Sequence, residues 1–453
     1  MRTSKDENIT RKTAVSPSTR QWGSILLGLV LAVALLTGCA ALPSASTAER
    51  EILVLWHTLT GAEANALETL TDQFNAENPW RLILVTEFQD DLLDKLQAAP
   101  DRRPDLITLW PADLAAYVAL GMVGAVPSQS AEMQAAWPDF LPMAGALYQA
   151  NGVPQALPLG LATYVSYSNN EWLADLGYDP GTASWEDLRR TACAATDPVR
   201  GQVGVGVPAR ASMFLAFLTA SGSNIVGADG YYQFADTPGH DAASLLKAIV
   251  SGGCGVLYED REVGITRLGR SSMAMIAESS ESLLQIEQAI LTGRNFDVSV
   301  NPLPGPNGPG PTLWYGPGLM ITAPEVQRQD AALKAMAWFF SPEAQRTWGS
   351  TTRYLPIRRS VIELELEDVE RTPTGALFAK LWQLTLDAAD QGTWVAWPQA
   401  TNRITCRASL LRGLLALQSP EADAAAYVDT AATACNTGVV FRLPTTPEPS
   451  PTP

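Results

Sequence analysis

Few residues in this chain are of a type and spacing that can do chemistry. His57 can act as a base, but no serine or cysteine nucleophile motif accompanies it, and the other histidine, His240, is remote in sequence. Ser244-Leu245-Leu246-Lys247 has the spacing of a Ser-x-x-Lys pair, yet it falls on an amphipathic helical stretch of generic context. There is no GxSxG, no HExxH, no phosphate-cradling GxxxxGK and no CxxC, so hydrolase, nucleotide and zinc chemistry lack their residues. Aromatic surface is abundant instead, with 13 tryptophans. Most large aromatics pack in cores. A few set beside fixed polar groups supply the flat apolar faces and hydrogen-bonding points that a small polar solute needs. Candidates for that role are Trp56 with His57, Trp110 with Asp113, and Trp314 with Tyr315. The last pair stands ahead of Gly316 and Gly318, where small residues allow close backbone approach.

The elements that must position these residues follow from the apolar pattern. Ile52–Trp56 is a continuous apolar run, expected to be buried on both faces of a parallel sheet. Thr60-Gly61-Ala62-Glu63 fits a capping box, with Leu67, Leu70 and Phe74 on one face of the helix behind it. Leu82–Thr86 is the second strand, and Leu92, Leu93 and Leu96 line the second helix. Pro104-Asp105 introduces a third strand, Leu106–Trp110, with Pro111 at the first turn of the next helix. This β-α-β-α-β-α order implies a parallel sheet with right-handed crossovers, whose ligands lie beyond the carboxyl ends of the strands. The segments just past those ends are Trp56–Leu59, Glu87–Asp90 and Trp110–Asp113.

Pro158–Asn169 is read as one strand and as a hinge, because strand-and-helix patterns precede it and a second set follows. In that second set, Ser184 opens a helix, Asp229-Gly230 signals a hairpin, and Met273–Ile276 is a strand before a helix at Glu281–Leu291. Further strands are Asp297–Val300 and Leu319–Thr322, with a long helix from Pro324 and another from Ser341-Pro342. Thr405–Gln418 and Pro420–Ala434 close the chain as helices, with Ser419 as N-cap of the second.

At the N-terminus, Arg2, Lys5, Arg11, Lys12 and Arg20 precede an uncharged run, Trp22–Leu36, of signal-peptide rather than membrane-spanning length. Leu36-Thr37-Gly38-Cys39 resembles the bacterial lipobox, so residues 1–38 are expected to be a signal peptide, Cys39 lipidated, and 39–50 a tether. Residues 444–453 are a Pro/Thr-rich tail with too little apolar surface to fold. A net charge of −16 argues against nucleic acid and anionic head groups as direct partners. The cysteines beyond Cys39 are Cys193, Cys254, Cys406 and Cys435, an even set that admits three pairings in an exported protein. Cys193–Cys254 and Cys406–Cys435 keep each bridge within one local region.

In this order the residues resemble the extracellular solute-binding proteins of ABC importers, the family that includes maltose-binding protein. The resemblance spans roughly residues 50–440. It rests on Leu53-Val54-Leu55-Trp56-His57, Phe74-Asn75 with Asn78-Pro79, and Pro104-Asp105-Leu106-Ile107. It continues with Pro158-Leu159-Gly160 leading to Tyr167-Ser168-Asn169, then Ser272-Met273-Ala274-Met275, Ser341-Pro342-Glu343-Ala344-Gln345 and Leu355-Pro356. It implies an α/β, two-lobe periplasmic-binding-protein fold of type II, with lobe 1 from 50–157 and 295–340 and lobe 2 from 160–292 and 345–440. The hinge would take in the central strand, a crossing near 293–296 and another near 341–355, with the ligand cleft between the lobes. By the same resemblance Trp110 and Asp113 match a tryptophan and a carboxylate of the sugar site, and Thr163 and Tyr164 hold a cleft-facing position. Glu278 and Ser279 follow a strand as a ligand loop does, although Ser280 stands where an aromatic is expected. Trp394 and Trp397 lie near an aromatic platform, a few residues out of register, and Arg353 faces the cleft or joins the lobes by a salt bridge.

The implied function is a monomeric, lipid-anchored subunit on the extracytoplasmic face of the cell membrane. It would catalyse nothing, need no cofactor or metal, and hand a carbohydrate or similar solute to ABC permease subunits. An exported enzyme, a receptor that presents its ligand to a membrane sensor, and an iron-binding relative are the alternatives. The last would need clustered tyrosines, and Tyr231-Tyr232 falls in the expected hairpin instead.

Overall fold

In the first strand, β1 (Glu51–His57), burial alternates: Leu53, Leu55 and His57 turn inward while Ile52 stays 55% exposed. The expected burial on both faces is thus corrected, because β1 lies next to the edge of its sheet. That edge is β2 (Leu82–Phe88), paired parallel to β1 from Glu51↔Leu82 to His57↔Phe88. The outer backbone groups of its first half are covered. Asn75 exchanges two hydrogen bonds with the backbone of Leu84, at 2.9 and 2.7 Å, and Asn78 two with Leu82, at 3.0 and 3.1 Å. Side-chain amides from the preceding helix stand in for a missing strand.

The computed structural model describes residues 50–122, 124, 130–150, 152–181, 184–227, 230–369, 375–399 and 403–437. The expected signal peptide, Cys39, nearly all of the tether, Asp229 of the hairpin and the tail lie outside these residues. Among those described, no helix is long and apolar enough to cross a membrane.

Downstream of β2 come β3 (Leu106–Leu109), β4 (Ala156–Pro158), β5 (Ala162–Asn169), β6 (Val203–Pro208), β7 (Gly255–Tyr258), β8 (Met273–Ser279), β9 (Val298–Pro302), β10 (Thr312–Tyr315), β11 (Gly318–Ile321) and β12 (Trp394–Ala396). They form two main sheets. The first is ordered β2-β1-β3-β11-β4, and the second β12-β10-β5-β8-β6-β7, with β9 also on β5.

The stretch expected as one strand, Pro158–Asn169, is therefore two. β4 ends the first sheet, and β5, buried along its whole length, runs through the second. Between them the backbone bonds to other passages of the chain: Leu159 N donates to Pro317 O (2.7 Å) and Leu161 N to Leu355 O (2.8 Å). Gly316-Pro317 is the second passage between the sheets, joining β10 to β11, and Arg353–Leu355 is the third. The crossing expected near 293–296 is not there, because β9 and β10 both pair with β5, at Ser299↔Ser168 and Trp314↔Thr163. A methyl group on Gly160 would lie 2.6 Å from Tyr354 Cβ, and one on Gly316 1.9 Å from Gly160 O. The three passages meet at a closeness that only glycine permits.

Helix starts show where local signals succeed and fail. Ser184 and Asp187 form the reciprocal capping box, and Ser341 accepts from Ala344 N. Thr60 is an N-cap by backbone only, since Glu63 reaches Tyr354 instead. Asp423, not Ser419, caps the last helix, Ala424–Asn436, and the helix expected from Pro324 starts at Val326. Pro342–Thr352 packs on the helix Gly61–Glu77 of the first sheet, although the expected lobe 2 took in residues from 345. Both local disulfides form, Cys193–Cys254 and Cys406–Cys435.

Candidate functional site

Where β3 ends, Trp110 keeps an extended backbone, and a single 3-10 turn, Pro111–Asp113, follows it. The second sheet supplies aromatics from its middle. Because Trp314 pairs with Thr163 and Tyr315 with Ala162, Tyr164 is the diagonal neighbour of Tyr315 on the same face. Their rings stack with centroids 5.2 Å apart and planes 27° apart. Trp397, just past β12, meets Tyr315 edge-on at 5.9 Å, held by its backbone N–H on Trp314 O at 2.9 Å. Trp110, Asp113, Tyr164, Tyr315 and Trp397 line one cavity of about 580 Å³, and Arg210 and Tyr232 contribute to its wall.

A charged cluster adjoins this aromatic wall. Glu278, fully buried on β8, accepts from Arg210 Nη1 and Tyr258 Oη, both at 3.2 Å, and lies 3.6 Å from Arg261 Nε. Arg261 Nη2 also donates to Glu281 at 3.2 Å. Tyr354 Oη donates to Glu63 Oε1 at 3.2 Å. Burial, and then the charge of Glu281, raise the Glu63 carboxyl above the usual glutamate range. Burial likewise holds the Tyr354 phenol neutral. Ser279 Oγ and Tyr315 Oη, 2.5 Å apart, tie cluster to wall.

The remaining expected site residues are elsewhere. Thr163 is fully buried and cross-links the sheet, its Oγ1 donating to Leu313 O at 2.9 Å. Trp314, also fully buried, points into the core and donates to Thr312 Oγ1 at 2.7 Å. Trp394 is a half-buried strand residue paired with Thr312. Trp56 donates to the exposed Glu87 at 2.9 Å, and His57 sits edge-on to Phe88 at 5.8 Å, its pKa lowered by burial. Arg353 lies over Phe378 at 4.9 Å, beside Glu287 in a separate cavity of about 260 Å³. Glu278 and Ser279 back the site through ion pairs and the tyrosine contact rather than lining the cavity. Sequence reasoning missed Glu63, Arg210, Tyr232, Arg261, Glu281 and Tyr354, which come from separate segments with no local pattern in common. Among the described residues no group of acids, histidines and cysteines could hold a metal.

A model of the family described as bacterial extracellular solute-binding protein matches residues 69–377. No curated protein matches. Among solved structures, the cyclic α-maltosyl-1,6-maltose binding protein of Arthrobacter globiformis is similar at 19% identity and a TM-score of 0.72, over 86% of this chain and 98% of its own. A cyclo/maltodextrin-binding protein complexed with maltotetraose is similar at 15% identity and a TM-score of 0.69, over 86% and 97%. UgpB of Mycobacterium tuberculosis, in complex with glycerophosphocholine, is similar at 19% identity and a TM-score of 0.66 over 85% and 98%.

Proposed function

Because the chain belongs to the bacterial extracellular solute-binding protein family and has the two-lobe α/β fold of the maltose-binding type, we propose that it closes on a carbohydrate or similar polar solute and delivers it to an ABC permease. The lobes are built on the two sheets, and the three passages at 159–161, 316–317 and 353–355 serve as the hinge. A solute that touches both lobes only when they are closed shifts the open–closed equilibrium, which a permease can read.

The observation that carries this reading is the cavity of about 580 Å³ whose wall is the Tyr164–Tyr315 stack with Trp397 edge-on. Rings in that arrangement offer flat faces to the C–H surfaces of a sugar, while Asp113 and Arg210 supply fixed polar groups for its hydroxyls. Cyclic maltosyl-maltose and maltotetraose, the solutes of two structural relatives, have that chemistry. Trp110, Asp113, Tyr164, Tyr315 and Trp397 are the proposed ligand contacts. Cys39 is the proposed lipid anchor on the extracytoplasmic face, and the protein works as a monomer without chemistry of its own. A bacterial lipoprotein carries more than one acyl chain, which anchoring requires.

Thermal-shift screening of protein lacking residues 1–39 against sugars, polyols and oligosaccharides tests this. A solute at 100 times its Kd adds about 2.7 kcal/mol of stability and raises the melting temperature. A panel that leaves the melting temperature unmoved, or unaided turnover of any member, defeats the reading.

A further inference from the structure

The helix Leu283–Thr292 buries a stripe of Leu283, Ile286 and Ile290, and Glu287 lies within it. A carboxyl on the apolar face of a helix is costly unless something pairs with it. Among the described residues nothing does so by a hydrogen bond or a direct ion pair, and the charge that opposes its burial is that of Arg353. Arg353 is short of partners in turn. Its guanidinium lies over the Phe378 ring at 4.9 Å, while its Nε is buried with no hydrogen-bond partner. Its backbone is held at φ 68°, in the left-handed region that favours glycine. Both side chains line the cavity of about 260 Å³. Phe378 and Trp382, with ring centroids 5.6 Å apart, form its apolar side, and Arg346 and Glu365 are paired with each other at 2.5 Å. None of these residues lines the cavity of about 580 Å³. Folding thus leaves one cation and one anion unsatisfied in a single aromatic-walled space. Residues that burden a fold in this way gather where function requires them.

We propose that this cavity is a second solute site, which takes a free amino acid with an apolar side chain. The ligand's carboxylate meets Arg353, its ammonium meets Glu287, and its side chain lies against Phe378 and Trp382. A guanidinium fork matches a carboxylate, and an ionised carboxyl accepts the N–H donors of an ammonium. The volume falls just under the range of drug-sized pockets, which suits so small a solute. A monocarboxylate would leave Glu287 unpaired, and a simple amine would leave Arg353 so. This site goes beyond the cleft reading and does not rest on it.

Calorimetric titration of the mature chain with L-leucine, L-methionine and L-phenylalanine tests the site. It is run at about pH 8, because burial pushes the Glu287 pKa up to about 7 and only the ionised carboxyl pairs with an ammonium. At least one of the three should bind saturably. Its amide and its deaminated acid, which each lack one of the two charges, should bind at least about tenfold more weakly, as expected when a charged hydrogen bond is lost. Glu287→Gln and Arg353→Gln should weaken the amino acid by a similar factor. Glu287→Gln keeps the shape of the side chain, and urea midpoints show that both variants fold. Three amino acids that do not bind, binding that either folded variant leaves unchanged, or a deaminated acid that binds as tightly, overturns the proposal. If the sugar panel fails while an amino acid binds through Glu287, this site stands and the cleft reading falls. The opposite pattern retires this site alone.

Discussion

The aromatic wall and the charged cluster adjoin one another and are built on opposite principles. In the wall, Trp110 and Trp397 are half-buried, and Tyr164 and Tyr315 keep 7% and 9% of their surface open. The tyrosines stack on each other, Trp397 meets Tyr315 edge-on, and all four rings line the cavity. In the cluster, Glu278 has no exposed surface, and Arg261 serves both Glu278 and Glu281. Losing a wall residue should therefore be felt by the solute, and losing a cluster residue by the fold. Dispersion contacts can be exchanged between ring and ligand, whereas a buried charge has no substitute for its partner.

The largest test of that contrast is Arg261→Ala. It leaves two carboxylates short of a partner, and because the Arg261 side chain is 34% exposed the cost should fall somewhat below the roughly 3 kcal/mol of breaking a fully buried pair. Thermal or urea unfolding should show that loss with no solute present. An unchanged midpoint would mean that water already screens the cluster, and the contrast would fail from that side. Next is Trp110→Ala. It should weaken solute binding roughly thirtyfold, about 2 kcal/mol, as expected for an aromatic anchor, while the solute-free unfolding midpoint stays put. Calorimetric titration reads the first quantity and urea unfolding the second. Equal affinity would take Trp110 out of the site.

How much of this was legible in the sequence depends on the range of the signal. Trp110 and Asp113 line the cavity where a ligand in an open α/β sheet is expected, past the carboxyl end of a strand whose start Pro104-Asp105 marks. The pairs Thr163-Tyr164, Glu278-Ser279 and Trp314-Tyr315 could be found only as pairs. Consecutive strand residues point to opposite faces, so a reading off by one residue takes the wrong member. The structure places Tyr164 and Tyr315 on the cavity and sends Thr163 and Trp314 into the sheet and core. The charged cluster had no local signal. Glu63, Arg210, Arg261, Glu281 and Tyr354 meet only after both sheets and the third passage have formed. The misplaced crossing near 293–296 has a similar cause: β9 and β10 read as strands of either sheet until their pairing with β5 is known.

Thr163→Val sharpens the same point at smaller scale. The hydroxyl donates to Leu313 O inside the protein and does not face the cavity. Its loss should cost about 1 kcal/mol of stability, the net worth of one hydrogen bond plus the buried acceptor it abandons. Solute affinity should not change. A fall in affinity would return Thr163 to the solute and shift the wall by one residue.

The smallest effect expected is at Glu287, an acid outside both regions. It is 8% exposed, and burial pushes its pKa up to about 7 against the opposing charge of Arg353. A carboxyl raised on folding contributes its full stability below its unfolded value, and loses it as pH climbs through the folded one. Glu287→Gln removes that dependence. The variant should match the wild type near about pH 5 and exceed it, by on the order of 1 kcal/mol, near about pH 8. Urea midpoints at the two pH values measure this. A constant difference between the proteins would place Glu287 in solvent. A difference that grows with pH would mark Glu287 as an acid that burdens the fold.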